Sequence, residues 1–206
     1  MKQILLSTLL LLGFSQTLLA QEPNKPLYQA LKMTDTQGHT YHIKGTDNGL
    51  DIQELKGKIV FLEFFGHQCP PCLASIPHYI DLQKKYGDKI AILAIEVQGF
   101  SQKDLKAFGE RKHITYSLFS ERGANGLVQY IAQRAQWQGS IPFLVAMDTT
   151  GEVRFIQAGM LPESSLEKLI EMLSPKKTET KGEDNSTKPT PTAVKQETQE
   201  GNKTTK

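Results

Sequence analysis

Cys69 and Cys72 are the only cysteines in the chain of 206 residues, and two residues separate them. A pair at this spacing can be a redox-active disulfide, half of a metal site, or a structural disulfide. A structural disulfide that closes so short a loop removes little conformational entropy from the unfolded chain, because this stabilisation grows with loop length. The spacing therefore favours redox chemistry or metal binding over a structural role.

Metal binding needs more ligands than the two thiolates of this pair. A zinc site takes four ligands, commonly two such cysteine pairs or one pair with two suitably spaced histidines. The five histidines are scattered, and only His67 and His78 lie near the pair in sequence. We therefore predict no metal site, and a copper or zinc carrier that uses both cysteines and a histidine is the less favoured alternative.

The pair lies where a buried strand is followed by a helix. Residues 58–65 form a nearly continuous apolar run, typical of a strand buried on both faces, and a helical pattern begins after Cys69. Free N–H groups and the helix dipole favour a thiolate at a helix start. We expect Cys69 to be the exposed attacking nucleophile. Cys72, one turn further on and more buried, is expected to resolve the mixed disulfide.

Two prolines, Pro70 and Pro71, separate the cysteines. Each lacks the N–H group that could donate a hydrogen bond to a Cys69 thiolate, so only Cys72 can donate one from within the motif. A strong thiol oxidant owes its power to a stabilised reduced form. Because this thiolate has fewer donors, the motif predicts a dithiol–disulfide couple with a reducing potential. A protonated His67 close to Cys69 would oppose this effect.

The middle of the chain, residues 27–173, alternates between strand-like and helix-like patterns, which indicates an α/β fold. Residues 30–33 and 40–43 flank the turn Asp35–Gly38 and predict a β-hairpin. The predicted order is this hairpin followed by β-α-β-α-β-α-β-β-α. The strands are expected at 58–65, 90–97, 116–119, 141–147 and 152–157, and the helices from Cys69 to Gly87 and at 101–112, 126–137 and 162–173.

Both ends of the chain differ from this middle in composition. Residues 1–20 combine Lys2, an apolar run and a final Ala20, which predicts a secretory signal peptide, with a retained membrane anchor as the alternative. Residues 21–26 are expected to be a linker. Residues 174–206 are almost wholly polar and predict a disordered tail, because they have little apolar surface to bury. Export would place the cysteines where disulfides persist, in the periplasm or another extracytoplasmic compartment.

The charge distribution excludes one class of partner. The formal net charge is +2, and no cluster of Lys and Arg with interleaved aromatic residues occurs in the middle of the chain. We therefore expect no nucleic-acid partner. Contact with a membrane is expected only if the N-terminal segment is retained.

The segment Val60–Cys72, VFLEFFGHQCPPC, resembles the active-site strand and helix of thioredoxin-fold proteins. Asp35–Gly38, Leu55–Lys58 and Cys72–Pro77 resemble segments of the exported TlpA/ResA/CcmG-like family, and the resemblance spans residues 27–173. It implies a thioredoxin-like fold, with a central mixed β-sheet flanked by helices and an N-terminal β-hairpin extension. It also implies an enzyme that reduces disulfides outside the cytoplasm, often in cytochrome c maturation, with no cofactor besides the redox-active Cys69–Cys72 disulfide.

The resemblance also implies partners and further site residues. The partners are disulfides and thiols of exported proteins, including apocytochrome c, and a membrane thiol that donates electrons. Pro142 stands where the family has a cis proline facing the cysteine pair, so the backbone of Ile141 is expected to pair with a substrate strand. An edge-strand proline in the trans form is the alternative.

Glu63, six residues before Cys69, stands where thioredoxin has a buried aspartate. The resemblance implies that Glu63 accepts the proton of Cys72 as this thiol attacks. An isolated acid in an apolar strand is costly unless it is neutral or has a function. The alternative is a Glu63 side chain that points out at a strand edge or forms an ion pair with a lysine.

Three positions depart from the family pattern. Gln68 replaces a tryptophan before the first cysteine, Ser75 replaces a glutamate after the second, and Ile141 replaces a threonine before the cis proline. These departures bear on substrate preference more than on the chemistry. An oxidant or isomerase of oxidative folding therefore stays open beside the reductase.

Overall fold

The computed structural model describes residues 30–175. The predicted signal peptide at 1–20, the linker at 21–26 and all but the first two residues of the predicted disordered tail at 174–206 lie outside the described residues. Among residues 30–175, no helix is long and apolar enough to cross a membrane.

A small antiparallel sheet opens the described chain. Strands β1 (Ala30–Thr34) and β2 (Thr40–Gly45) form the predicted hairpin, and β3 (Leu50–Ile52) pairs with β2. The carboxylate of Asp35, which is 1% exposed, accepts hydrogen bonds from the backbone N–H groups of Gln37 and His39 and so fixes the turn. The prediction of a two-stranded extension missed β3, because three residues are too few to show a period.

The central sheet has five strands in the order β6-β5-β4-β7-β8. Strands β4, β5 and β6 are mutually parallel, and β7 and β8 run antiparallel to their neighbours. Apart from β3, the predicted order of strands and helices is confirmed. The strands are β4 (Ile59–Phe65), β5 (Ile90–Glu96), β6 (Ser117–Ser120), β7 (Phe143–Met147) and β8 (Val153–Ala158).

Four α-helices complete the described fold: α1 (Pro70–Tyr86), α2 (Gln102–Arg111), α3 (Glu121–Arg134) and α4 (Glu163–Leu173). The predicted N-cap at Ser101 is confirmed, since its hydroxyl accepts a hydrogen bond from the N–H of Asp104. The predicted bounds of α3, 126–137, are wrong. This helix begins five residues earlier, capped by Ser120, because the low helix propensity of Gly123 and Gly126 obscured its first turns.

The alternation of side chains along β4 divides the interior in two. Phe61 and Phe65 pack with apolar residues of α1, α2 and α4 on one face of the sheet. Leu62 and Phe64 pack on the other face, with α3 and the N-terminal sheet. Residue 63 has the parity of 61 and 65, so Glu63 faces the core that contains both cysteines.

Candidate active site

Cys69 and Cys72 form a disulfide at the start of α1. Cys69 is the N-cap, and its sulfur accepts a hydrogen bond from the N–H of Cys72 at 3.3 Å. Cys72 is 2% exposed and Cys69 is 7% exposed. The predicted order of exposure is therefore confirmed, but the expectation of an exposed Cys69 is wrong for this disulfide form. Bonded to Cys72, Cys69 packs among the core residues with only its edge open to solvent.

The two prolines occupy the first two positions of α1, and both are exposed. Neither has an N–H group, so the N–H of Cys72 is the first one that the helix offers to the sulfur of Cys69. The prediction that Cys72 alone donates from within the motif is confirmed. The sulfur at the helix start thus has one backbone donor.

A tight turn connects β4 to Cys69. The N–H of Cys69 donates to the carbonyl of Gly66 at 3.3 Å, and the N–H of Gln68 donates to the side-chain oxygen of Gln98 at 2.8 Å. Gly66 lies against two side chains, since a Cβ atom there would be 2.3 Å from the Cδ of Gln98 and 2.7 Å from the Cδ1 of Ile141. A larger residue at position 66 would therefore displace the side chains of Gln98 and Ile141.

Replacing Gly66 with alanine is expected to displace Gln98 and to break its hydrogen bond to Gln68. Because Cys69 directly follows this turn, we expect kcat/KM for disulfide reduction to fall about 10- to 100-fold through misplacement of the thiol. Gly123→Ala, inside α3, is the matched control and should leave activity unchanged. Steady-state insulin reduction and thermal melts of both variants check the prediction. Equal activity of Gly66→Ala and wild type would contradict it.

The Ile141-Pro142 peptide bond is cis, as predicted, so the trans alternative is wrong. Strand β7 runs antiparallel to β4, so its beginning lies at the same end of the sheet as the turn before Cys69. Within residues 30–175, the backbone N–H and carbonyl of Ile141 have no hydrogen-bond partner, whereas the carbonyl of Pro142 accepts from Gly159. The backbone of Ile141 is thus free to pair with another chain.

Glu63 is 3% exposed on the central strand of the sheet. Burial raises the pKa of its carboxyl from 4.5 to about 8, although the hydroxyl of Tyr79 donates a 2.6 Å hydrogen bond that lowers it. Strands β5 and β7 flank β4 on both sides, and within residues 30–175 Glu63 makes no ion pair. The alternative of an edge position or a lysine partner is therefore wrong. At neutral pH this carboxyl is mostly protonated.

Two tyrosines surround this carboxyl. Burial, first, and then the charge of Glu63 raise the pKa of Tyr79 and of Tyr116, whose rings meet edge to face at 6.0 Å. Sequence reasoning missed Tyr79. A signal was available, because Tyr79 follows Cys72 by seven residues, or two helical turns, which puts both on one face of α1.

A second buried acid lies at the end of β5. Glu96 is 0% exposed, and its carboxylate accepts from the Nδ1 atom of His67 at 2.7 Å and from the N–H groups of Gln98 and Phe100. The imidazole of His67 also stacks on the ring of Phe100, with 3.6 Å between centroids. From the sequence we expect His67, if protonated and close to Cys69, to oppose a reducing couple. In the structure its imidazole is hydrogen-bonded to Glu96, and His67 stands two residues before Cys69 in the chain.

Within residues 30–175, no group of three or more His, Cys, Asp or Glu side chains is arranged to hold a metal ion. The predicted site residues Cys69, Cys72, Ile141 and Pro142 lie at one end of the central sheet, and Glu63, in the middle of β4, faces the core that contains both cysteines. The arrangement provides a disulfide, a carboxyl that can exchange a proton, and a free backbone edge.

Comparison with known proteins agrees with this geometry. The AhpC/TSA family model matches residues 30–156. The thiol-disulfide oxidoreductase ResA of Geobacillus kaustophilus is 28% identical over 144 residues, 69% of this chain and 74% of that protein. The thioredoxin-like protein YneN of Bacillus subtilis is 27% identical over 124 residues, 59% of this chain and 68% of that protein.

Among solved structures, an exposed lipoprotein thioredoxin of Streptococcus pneumoniae superposes with a TM-score of 0.55 at 19% identity, over 70% of this chain and 100% of that one. This likeness confirms the thioredoxin-like fold. The chain belongs to the AhpC/TSA family, and within it to the TlpA/ResA/CcmG-like thiol-disulfide oxidoreductases.

Proposed function

We propose that this enzyme works as a reductase outside the cytoplasm, on disulfides of exported proteins that include apocytochrome c. One observation carries the direction of electron flow. The Cys69 sulfur receives a single backbone hydrogen bond from its motif, from Cys72, because Pro70 and Pro71 have none to give. A poorly stabilised thiolate favours the disulfide form of the enzyme, so the dithiol gives up its electrons readily.

The reaction runs through a mixed disulfide. The Cys69 thiolate attacks one sulfur of the substrate disulfide, a bond forms between these two sulfurs, and the other substrate sulfur leaves with the electron pair. The Cys72 thiol then loses its proton and attacks the sulfur of Cys69. The second substrate thiol is released and the Cys69–Cys72 disulfide forms, so that two electrons pass from the enzyme to the substrate.

Glu63 is proposed to take the proton from Cys72 in the second step. It faces the core in which Cys72 is buried, and both side chains are almost closed to solvent. With a pKa of about 8, roughly a tenth of the carboxyl is ionised at pH 7, which poises it to accept and to return a proton near neutrality.

The substrate is proposed to bind as an extended segment along Ile141, whose backbone N–H and carbonyl are unpaired in the described chain. This backbone pairing is insensitive to sequence, which suits an enzyme that acts on unfolded exported chains. A membrane thiol would regenerate the Cys69–Cys72 dithiol. The N-terminal pattern at residues 1–20 supports export, as does the description of the pneumococcal structure as an exposed lipoprotein.

The reduction potential of the Cys69/Cys72 couple tests this proposal. We expect a value more negative than that of protein disulfide isomerase, about −180 mV, because the thiolate has one motif donor. Equilibration of the full chain with glutathione or dithiothreitol buffers measures it. A potential close to that of DsbA, about −120 mV, would reverse the direction and make the enzyme an oxidant.

Two matched variants test whether the missing N–H groups at the helix start set the reduction potential. Pro70→Ala restores one N–H group at the helix start and should make the potential less negative, whereas Pro77→Ala, later in the same helix, should leave it unchanged. If both substitutions shifted the potential equally, the prolines would act through helix stability and not through the missing donors.

A further inference from the structure

His67, two residues before Cys69, presents one ring nitrogen to solvent. Its Nδ1 atom is held by Glu96 and its ring face by Phe100, and the side chain is 15% exposed. In the part of the chain that the structure describes, His78 Nδ1 is the one buried side-chain nitrogen or oxygen without a partner. The Nε2 atom of His67, which also has no partner there, is therefore open to solvent.

The hydrogen bond to the carboxylate of Glu96 determines which ring nitrogen of His67 faces solvent. This carboxylate is fully buried and is held in turn by the N–H groups of Gln98 and Phe100, so it cannot turn away from the ring. A hydrogen bond at one ring nitrogen sets the proton on that nitrogen and leaves the other to exchange protons. His67 lies in the turn that the hydrogen bond from the Cys69 N–H to the Gly66 carbonyl closes, two residues before the attacking thiol.

We propose that His67, oriented by Glu96, gives a proton to the substrate sulfur that leaves when Cys69 attacks. His67 is then a catalytic residue and Glu96 a positioning residue. The inference rests on the proposed role of Cys69 as the attacking thiol. It assigns the two proton transfers of the reaction to separate groups, with His67 on the outer substrate sulfur and Glu63 on the inner Cys72.

Atoms and electrons balance in this step. The bond between the sulfurs of Cys69 and the substrate forms, the substrate S–S bond breaks, and its electron pair stays on the leaving sulfur. That sulfur takes a proton from Nε2 of His67. The ring keeps its Nδ1 proton on Glu96 and regains the other proton from water.

Proton donation matters only for a leaving sulfur that is basic. An alkyl thiolate such as that of glutathione leaves slowly without a proton, whereas the acidic aromatic thiolate of 5,5′-dithiobis(2-nitrobenzoate) needs none. Loss of a proton donor should therefore slow the reaction with glutathione disulfide selectively. A disturbed turn or a less reactive Cys69 would instead slow both reactions to the same extent.

The test compares the two probes with the reduced full-length chain carrying Cys72→Ser, in which only the first step occurs. We expect His67→Asn to slow adduct formation with glutathione disulfide about 10-fold or more, and the reaction with the aromatic disulfide less than about 2-fold. Glu96→Gln should act in the same direction, to a smaller extent. His113→Asn, an exposed histidine just after α2, is the matched control and should change neither rate.

An equal loss of rate with both probes would overturn the inference and make His67 a structural residue of the turn. No loss with either probe would also overturn it. Failure of the proposed role of Cys69 gives a different result, because the background enzyme would then form no adduct with either disulfide. Thermal melts of each variant confirm that the compared proteins are folded.

Discussion

Serine in place of Cys72 is expected to stop turnover and to leave Cys69 joined to its substrates as mixed disulfides. The reason is geometric, since Cys72 is the only other thiol in the chain and its sulfur lies within bonding distance of Cys69. Without it, release needs an external thiol, and we expect kcat for insulin reduction to fall roughly 10³-fold or more. Non-reducing gels and mass spectrometry of the purified variant measure the trapped species.

The identity of the trapped proteins separates a reductase from an oxidant. If the enzyme is a reductase, its Cys72→Ser variant should trap a narrow set of exported partners, such as a c-type apocytochrome and a membrane electron donor. The matched variant Cys69→Ser should trap almost nothing, because the remaining thiol of Cys72 is 2% exposed. A broad range of newly exported proteins on Cys72→Ser would instead identify an oxidant or isomerase.

The sequence predicted the parts of the site that depend on local pattern. A cysteine pair after an apolar run of strand length has one place in an α/β layer fold, the junction of a buried strand and a helix. The burial of Glu63 followed from the family resemblance, because the apolar run alone left an edge position or a lysine partner open. Pro142 followed from the family resemblance and not from the strand pattern.

The partners of these residues could not be predicted in the same way. Glu96 meets His67 across 29 residues of chain, and this contact depends on the register of β4 against β5, which pairs Phe65 with Glu96. A hydrophobic pattern gives the face of a strand but not its register against a neighbour. Tyr79 could have been placed on the face of Cys72, but its hydrogen bond to Glu63 depends on how α1 packs over β4.

The two buried carboxyls illustrate different ways to keep an acid in a core. Glu96 has three hydrogen-bond donors, His67 among them, which satisfy its two carboxyl oxygens. Glu63 has one, from Tyr79, and its raised pKa keeps it mostly neutral. A buried acid with a single hydrogen-bond donor is suited to exchanging a proton. Its titration should also make the free energy of unfolding depend on pH.

Replacing Glu63 with glutamine is expected to stabilise the oxidised protein at alkaline pH while it slows catalysis. The carboxyl has a pKa of about 8 when folded and 4.5 as its ordinary value, so folding favours its protonated form. The stability that wild type has below pH 4.5 is therefore lost as pH rises through 8, on the order of 1 kcal/mol per pH unit. Glutamine stays neutral and removes this loss, which amounts to roughly 4 to 5 kcal/mol above pH 8.

Urea unfolding of wild type and Glu63→Gln between about pH 4.5 and 8.5 measures this difference, which should be near zero at the acid end and grow with pH. Over the same range, stopped-flow kinetics should show that resolution of the mixed disulfide by Cys72 is about 100-fold slower in the variant, because a glutamine side chain cannot take a proton.

Glu110→Gln, which replaces an exposed glutamate of α2, is the control for both measurements. The result would contradict the prediction if the difference in free energy of unfolding did not change with pH and the two proteins resolved the mixed disulfide at equal rates across about pH 6 to 8. Glu63 would then have no raised pKa and would not take the proton of Cys72. A stability difference without a kinetic one would leave Glu63 as a buried neutral acid with Tyr79 as its partner, and the proton of Cys72 would then pass directly to solvent.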